Sequence, residues 1–242
     1  MTLPLVGPIA MAWAVLGATP GEIVRPFEVG PVSEAPDCWA SHEIVPGTPV
    51  AWALSLEPLR VRNVNTNAEG LVTLYNTDGT IDPDAVAEFL RLVSNAEQAG
   101  DDEPHPLALR TVQLVVKAAY FFRGAPILAI SSYRASKNGR ENHHSGGDAL
   151  DFQLEGVKAP ILAAYLRRQP RVGVGIYTHP RTQYVHLDVR DESFHWIDGS
   201  PPGVTWREQQ ILDFTRWKKD PSYAPEMDLP VFPSGLALSL RY

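Results

Sequence analysis

The chain has one cysteine, Cys38, in 242 residues. That scarcity removes an internal disulfide and any thiolate-rich zinc site, so a metal held here must sit among imidazoles and carboxylates. Basic residues are also sparse: 21 lysines and arginines face 28 aspartates and glutamates, and no lysine or arginine run is longer than a pair. With a net charge of −7 the chain has little from which to build a phosphate-tracking surface, and nucleic acid is excluded as an expected partner. No serine sits in a Gly-x-Ser-x-Gly setting, so a serine hydrolase elbow has no support. The apolar stretch from Leu3 to Ala18 is too short for a stable membrane span and suits the apolar region of a secretory signal better. Its first basic residue is Arg25, and Pro4 and Pro8 interrupt a helix, so an apolar arm packed on the domain is the alternative.

What is present is enough for one large domain. Hydrophobic residues make up 44% of the chain and can fill a substantial core. Residues 19–50 are rich in proline without periodicity and read as a lead-in, residues 51–200 as the domain, and residues 201–242 as a helical and Pro-rich extension. Two or three strands are expected between Val50 and Gly79, with turns at Asn65 to Gly70 and at Asp78-Gly79. Asp82 as N-cap and Pro83 in the first turn open a helix over 83–99, and a second helix over about 106–122 is closed by Gly124. A strand "APILAISSYR", a helix "VKAPILAAYLRR", strands "RVGVGIYTH" and "QYVHLDVRD", and an amphipathic helix over about 205–218 complete the reading.

Chemistry concentrates in "ENHHSGGDALDF" and "YVHLDVR". Tyr184, His186 and Asp188 alternate, so on a strand all three face one side while Val185 and Leu187 face the other. Gly146 and Gly147 allow a tight turn that brings His144 and Asp151 to one point. His144, Asp151 and His186 then make two imidazoles and one carboxylate, the ligand count of a catalytic zinc site with a fourth position for water. Taken alone, His144 and Asp151 also read as a turn histidine and a capping aspartate.

The blocks "SSYR", His144-x-x-Gly147-x-Ala149-x-Asp151, "GVGIYT" and "YVHLDV", with "LYNTDGTIDPDAVAEF" before them and Trp196 after, resemble the M15 zinc peptidases, most closely their DUF882 or YcbK-like branch of murein endopeptidases. The resemblance spans roughly 55 to 200. It implies an α+β fold whose central antiparallel sheet carries the zinc ligands, with helices packed on one side. It further implies Zn2+ held by His144, Asp151 and His186, a substrate carboxylate held by Arg134, and peptidoglycan stem peptides as substrate in a periplasmic or secreted setting.

The pattern departs from the family at the proton acceptor. Where many members have an acidic residue or a histidine before the last ligand, this chain has Gln183 and Tyr184, and neither serves as a base at neutral pH. Asp188 is the candidate base, with orientation of a ligand histidine as its alternative role. His195 is a weaker candidate. Only nine residues separate Arg134 from His144, a shorter cleft-bordering loop than the relatives have, and Arg134 can alternatively pair with a nearby carboxylate. His143 and Asp148 are expected beside the site without binding metal, and Tyr133 and Trp196 as core aromatics, with a cleft wall the alternative for Trp196.

Overall fold

Strand-forming residues with every second side chain apolar recur through the chain, and they pair into one sheet. The structure, a computed structural model, describes residues 47–94, 106–136, 139, 141–204 and 206–230. The apolar N-terminal segment, most of the Pro-rich lead-in and the chain's last residues lie outside the described residues, as do residues 95–99 of the helix expected over 83–99, which ends at Val93. In chain order the elements are α1 (Ala51–Leu54), β1 (Leu59–Asn63), β2 (Glu69–Val72), α2 (Pro83–Val93), α3 (Leu109–Phe121), β3 (Ile127–Ser131), β4 (Ala149–Leu154), α4 (Ala159–Leu166), β5 (Val172–Tyr177), β6 (Val185–Val189), β7 (Phe194–Asp198), β8 (Gln209–Ile211) and α5 (Arg216–Lys219).

Among the described residues the strands form an eight-stranded sheet in the order β2-β1-β3-β4-β6-β5-β7-β8. The fold is α+β, as expected, but the sheet is mixed: β1 runs parallel to β3 and β5 parallel to β7, while β4, β6 and β5 at its centre are antiparallel. Helices α2, α3 and α4 cover one face. α2 packs on β1, β2 and β3, α4 on β4, β5 and β6, and α3 touches both helices as well as β4 and β6. Into this layer the sheet sends Val61, Ile127, Leu150, Phe152, Val174 and Leu187, which meet Phe89, Leu92, Leu114, Val115 and Leu162 in one core. The opposite residues of β4, β5 and β6 are left to line the other face.

Local chemistry explains the ends of the helices. The Asp82 carboxylate accepts the Asp84 backbone N–H at 2.9 Å and Pro83 opens α2, as the cap reading requires. Gly124 follows α3 with φ +72°, and its N–H donates to the Ala119 carbonyl at 2.9 Å, a left-handed stop that glycine adopts without strain. Two strands, β1 and β2, lie between Val50 and Gly79 as expected, and before them Ala51–Leu54 forms the short helix α1, whose Trp52 packs edge-on against Tyr75 at 5.2 Å. One expectation is corrected. The amphipathic helix over 205–218 is replaced by strand β8, which adds to the open edge of β7, followed by the single turn α5. No helix among the described residues is long and apolar enough to cross a membrane.

Candidate metal centre

A turn, two neighbouring strands and one hydrogen bond to the residue that follows β3 bring three ligand-type side chains together. The Asn142 carboxamide oxygen accepts the backbone N–H groups of His144 and Ser145, each at 3.0 Å, an Asx turn that fixes the direction in which His144 leaves the chain. Gly147 has φ +76°, and a Cβ there would lie 2.6 Å from the Pro106 carbonyl oxygen. Glycine is therefore needed at 147, while Gly146 has ordinary φ. The Ala108 N–H donates to the Gly147 carbonyl at 2.7 Å and the Thr111 hydroxyl to the Asp148 carbonyl at 2.6 Å, which ties the turn to the start of α3.

From there the chain enters β4, where Asp151 lies directly opposite His186 of β6. Strand alternation keeps Val185 and Leu187 in the core and presents His186 and Asp188 on the helix-free face, as the sequence predicts. His186 Nδ1 is 2.8 Å from Asp151 Oδ1 and 3.2 Å from His144 Nε2, and His144 Nε2 is 3.3 Å from that same carboxylate oxygen. All three side chains are buried. The ligand atoms lie within 4.8 Å of one another, a group that can hold a metal ion.

The outer nitrogen of each ring fixes which inner atom is free. His144 Nδ1 is 2.6 Å from the Ser132 carbonyl, an acceptor only, so Nδ1 carries the hydrogen and donates it. His186 Nε2 is 2.9 Å from Asp188 Oδ2 and donates there by the same reasoning. The inner nitrogens, His144 Nε2 and His186 Nδ1, then both turn lone pairs toward each other and toward Asp151 Oδ1. Three lone pairs crowded out of water demand a positive charge between them. With no metal ion bound, a proton on His186 Nδ1, donated to Asp151, supplies that charge, and a cation would displace it. Burial works to raise the Asp151 pKa, but hydrogen bonds to His144 and His186 outweigh it and hold the carboxyl well below the usual range. Burial likewise works to lower that of His186, yet the carboxylates of Asp151 and Asp188 on either side push it up to about 9.

The other candidates fall into two sets. Asp188 is fully buried, and both its oxygens are engaged: Oδ2 by His186, Oδ1 by Arg190 Nε at 2.6 Å, with a further guanidinium nitrogen of Arg190 on Oδ2. Burial favours its protonation, but His186 and Arg190 prevail and keep it ionised. Arg134 stands over the site, 3.5 Å from Asp151 Oδ2 and about half exposed. His143 and Asp148 lie beside the three-residue group at the surface, with His143 Nδ1 3.7 Å from Asp188 Oδ1 and 3.6 Å from Asp148 Oδ2. Trp196 is a wall and not a plain core residue: its ring centroid lies 5.0 Å from that of His186, and it lines a cavity of about 800 Å³ together with Arg134, His144, His186, Arg190 and Glu208. His195 is not part of the site. Alternation on β7 turns it away from Trp196, and its Nε2 lies 3.1 Å from Asp213 in a separate buried cluster with Lys219.

Three residues at the site carry signals that sequence reasoning passed over. Arg190 continues the alternation of Tyr184, His186 and Asp188 by one more step. Gly173 and Gly175 of "VGVGIY" alternate in the same way, and β5 sets them opposite Asp188 and His186. A Cβ on Gly175 would lie 2.5 Å from Trp196 Cε2, and one on Gly173 would overlap the Asp188 carboxylate and the Arg190 guanidinium. These glycines make the room in which the second layer of the site lies.

The family model described as Peptidase M15 matches residues 85–188. No curated protein and no solved structure matches the chain. The matched segment runs from α2 through Arg134, His144, Asp151 and His186 to Asp188, and over it the chain is similar to the peptidase M15 family.

Proposed function

We propose that the protein is an exported zinc metallopeptidase that hydrolyses peptide bonds in peptidoglycan stem peptides or cross-links, of the DUF882 type within that family. The observation that carries the metal is the convergence of His144 Nε2, His186 Nδ1 and Asp151 Oδ1, with the outer ring nitrogens already committed to Ser132 and Asp188. Two neutral imidazoles and one carboxylate suit zinc and leave one position open. When bound, zinc supplies Lewis acidity at the scissile carbonyl and a water of lowered pKa.

The chain's own residues supply the rest. Asp188 holds the hydrogen of His186 Nε2, which fixes the ring's tautomer and direction, and Arg190 fixes Asp188 in turn. Of the two roles open to Asp188, the engaged and buried carboxylate favours orientation over proton transfer. Arg134, half exposed at the cavity with only a long contact to Asp151, has donors left for a substrate carboxylate. Trp196 and Tyr177 give the cavity apolar walls that keep water from the peptide bond.

A second reading is a zinc-containing module of the same fold that binds wall peptide without cleaving it. It is favoured by the proton acceptor: Gln183 and Tyr184 stand before His186, and burial raises the Tyr184 hydroxyl to about 12, beyond use as a base. Zinc content of the purified chain and of His144→Ala, followed by digestion of isolated muropeptides, tests both. About one zinc per chain, lost in the variant, with new peptide termini appearing in the digest, is the expected result. Zinc with binding but no cleavage selects the second reading, and no zinc after reconstitution rejects both.

A further inference from the structure

Exposed apolar side chains gather after β8, where a helix with a buried face was expected. Leu212, Phe214 and Trp217 are 64%, 81% and 70% exposed. Phe214 is the most exposed large hydrophobic residue among those described, and Trp217 is next. Leu212 and Phe214 line one shallow groove with Arg216, and Trp217 follows Arg216 in α5. An apolar cluster of this kind on a surface marks an interaction site, since each such side chain left in water forgoes the gain of burial.

The charges around it narrow the partner. Residues 204–219 contain four basic residues, Arg207, Arg216, Lys218 and Lys219, against two acidic ones, Glu208 and Asp213, in a chain whose net charge is −7. Asp213 is already neutralised by Lys219 Nζ at 2.6 Å, the next acid, Asp220, is buried against Ser193 and Arg171, and Arg216 pairs with Glu192 at 3.4 Å in an exposed contact that a competing anion can open. Lys218 Nζ lies 4.9 Å over the Trp217 ring, so a cation sits directly against the aromatic surface. We infer that this face docks on an anionic lipid bilayer. Phe214, Trp217 and Leu212 enter the boundary between headgroups and acyl chains, and Arg216 and Lys218 meet the lipid phosphates. Tryptophan and phenylalanine beside lysine and arginine are the residues suited to that boundary, and local positive charge complements its surface. The inference does not depend on the metal or on hydrolysis. Its consequence is that the 800 Å³ cavity, bordered by Glu208 on the same edge segment, is held close to a membrane surface.

Flotation of the full chain with phosphatidylglycerol/phosphatidylcholine vesicles, and separately with pure phosphatidylcholine vesicles, tests it. Expected is binding to the anionic vesicles, weakened by salt, and at least about tenfold weaker in Phe214→Ser/Trp217→Ser. Both side chains are surface residues, so the variant keeps its fold, and circular dichroism checks that it does. A second variant, Arg216→Gln/Lys218→Gln, is expected to lose the preference for anionic over neutral vesicles. Absence of binding by the wild-type chain overturns the inference. So does equal binding by the Phe214/Trp217 variant, which would locate the contact elsewhere on the chain. Concentration-dependent dimerisation that the Phe214/Trp217 variant abolishes, with no vesicle binding, would assign the face to a second copy and overturn it likewise.

Discussion

Gly173 and Gly175 test whether the second layer of the site matters to the first. In a strand interior, replacing glycine with alanine ordinarily adds about 0.5–1 kcal/mol of stability by restricting the unfolded chain. Here the clashes reverse the sign. Gly175→Ala would press on the Trp196 ring, and Gly173→Ala on the Asp188 carboxylate and Arg190. Each is expected to destabilise by about 1–3 kcal/mol in urea unfolding, the usual penalty of overpacking. Zinc affinity separates them, because only Gly173→Ala disturbs the carboxylate that orients His186. Asp188→Asn acts on the same contact without the clash. Asparagine leaves one acceptor oxygen for two partners, His186 Nε2 and Arg190, so a roughly 10–100-fold fall in zinc affinity is expected by chelator competition. Equal affinity in Asp188→Asn and wild type would count against an orienting role and return Asp188 to the list of bases.

Elements that announce themselves locally were legible in the sequence, and those set by distant packing were not. Asp82-Pro83 capped α2, Gly124 stopped α3, and alternation in "YVHLDV" set the two faces of β6 because the signal and its cause lie within a few residues. The metal group followed from the same alternation together with the turn at Gly147. The region after Ser200 shows the opposite case. Apolar spacing over 205–218 allowed a helix, yet the unpaired edge of β7 offered hydrogen bonds, and Gln209–Ile211 took them as β8. That choice buries His195 against Asp213 and Lys219, and its pKa falls to about 4, first through burial and then through Lys219. The folded pKa is lower than the unfolded value, about 6.5, so neutral His195 contributes stability above pH 6.5. Between 6.5 and 4 only the unfolded chain takes up the proton, and that contribution is lost as the pH falls. Urea unfolding across this window is expected to show a slope of up to about 1.4 kcal/mol per pH unit that His195→Asn removes. A slope unchanged in the variant would assign the acid sensitivity to other groups.

At the scale of the whole molecule, the metal group sits where two halves of the sheet meet. β4 carries Asp151 and continues through β3 toward β1 and β2, while β6 carries His186 and continues through β5 and β7 toward β8. His144 arrives from the turn that is tied to α3. A cation bound by all three therefore joins parts of the chain that lie far apart in sequence, and its binding free energy adds to that of folding. Zinc free at about a thousand times its dissociation constant adds about 4 kcal/mol, which for a domain of this size corresponds to a rise in Tm of roughly 10 °C. Chelation is expected to lower Tm by that amount, and re-addition of zinc to restore it. His186→Ala should abolish the difference, because the removed ring leaves two ligands and frees Asp188 from its partner. Arg134→Ala should keep the difference in full, since Arg134 lies outside the ligand set and is half exposed. If chelator leaves the wild-type Tm unchanged while the fold is intact, the three side chains hold no ion under those conditions. The reading as a metallopeptidase would then fail at its first step.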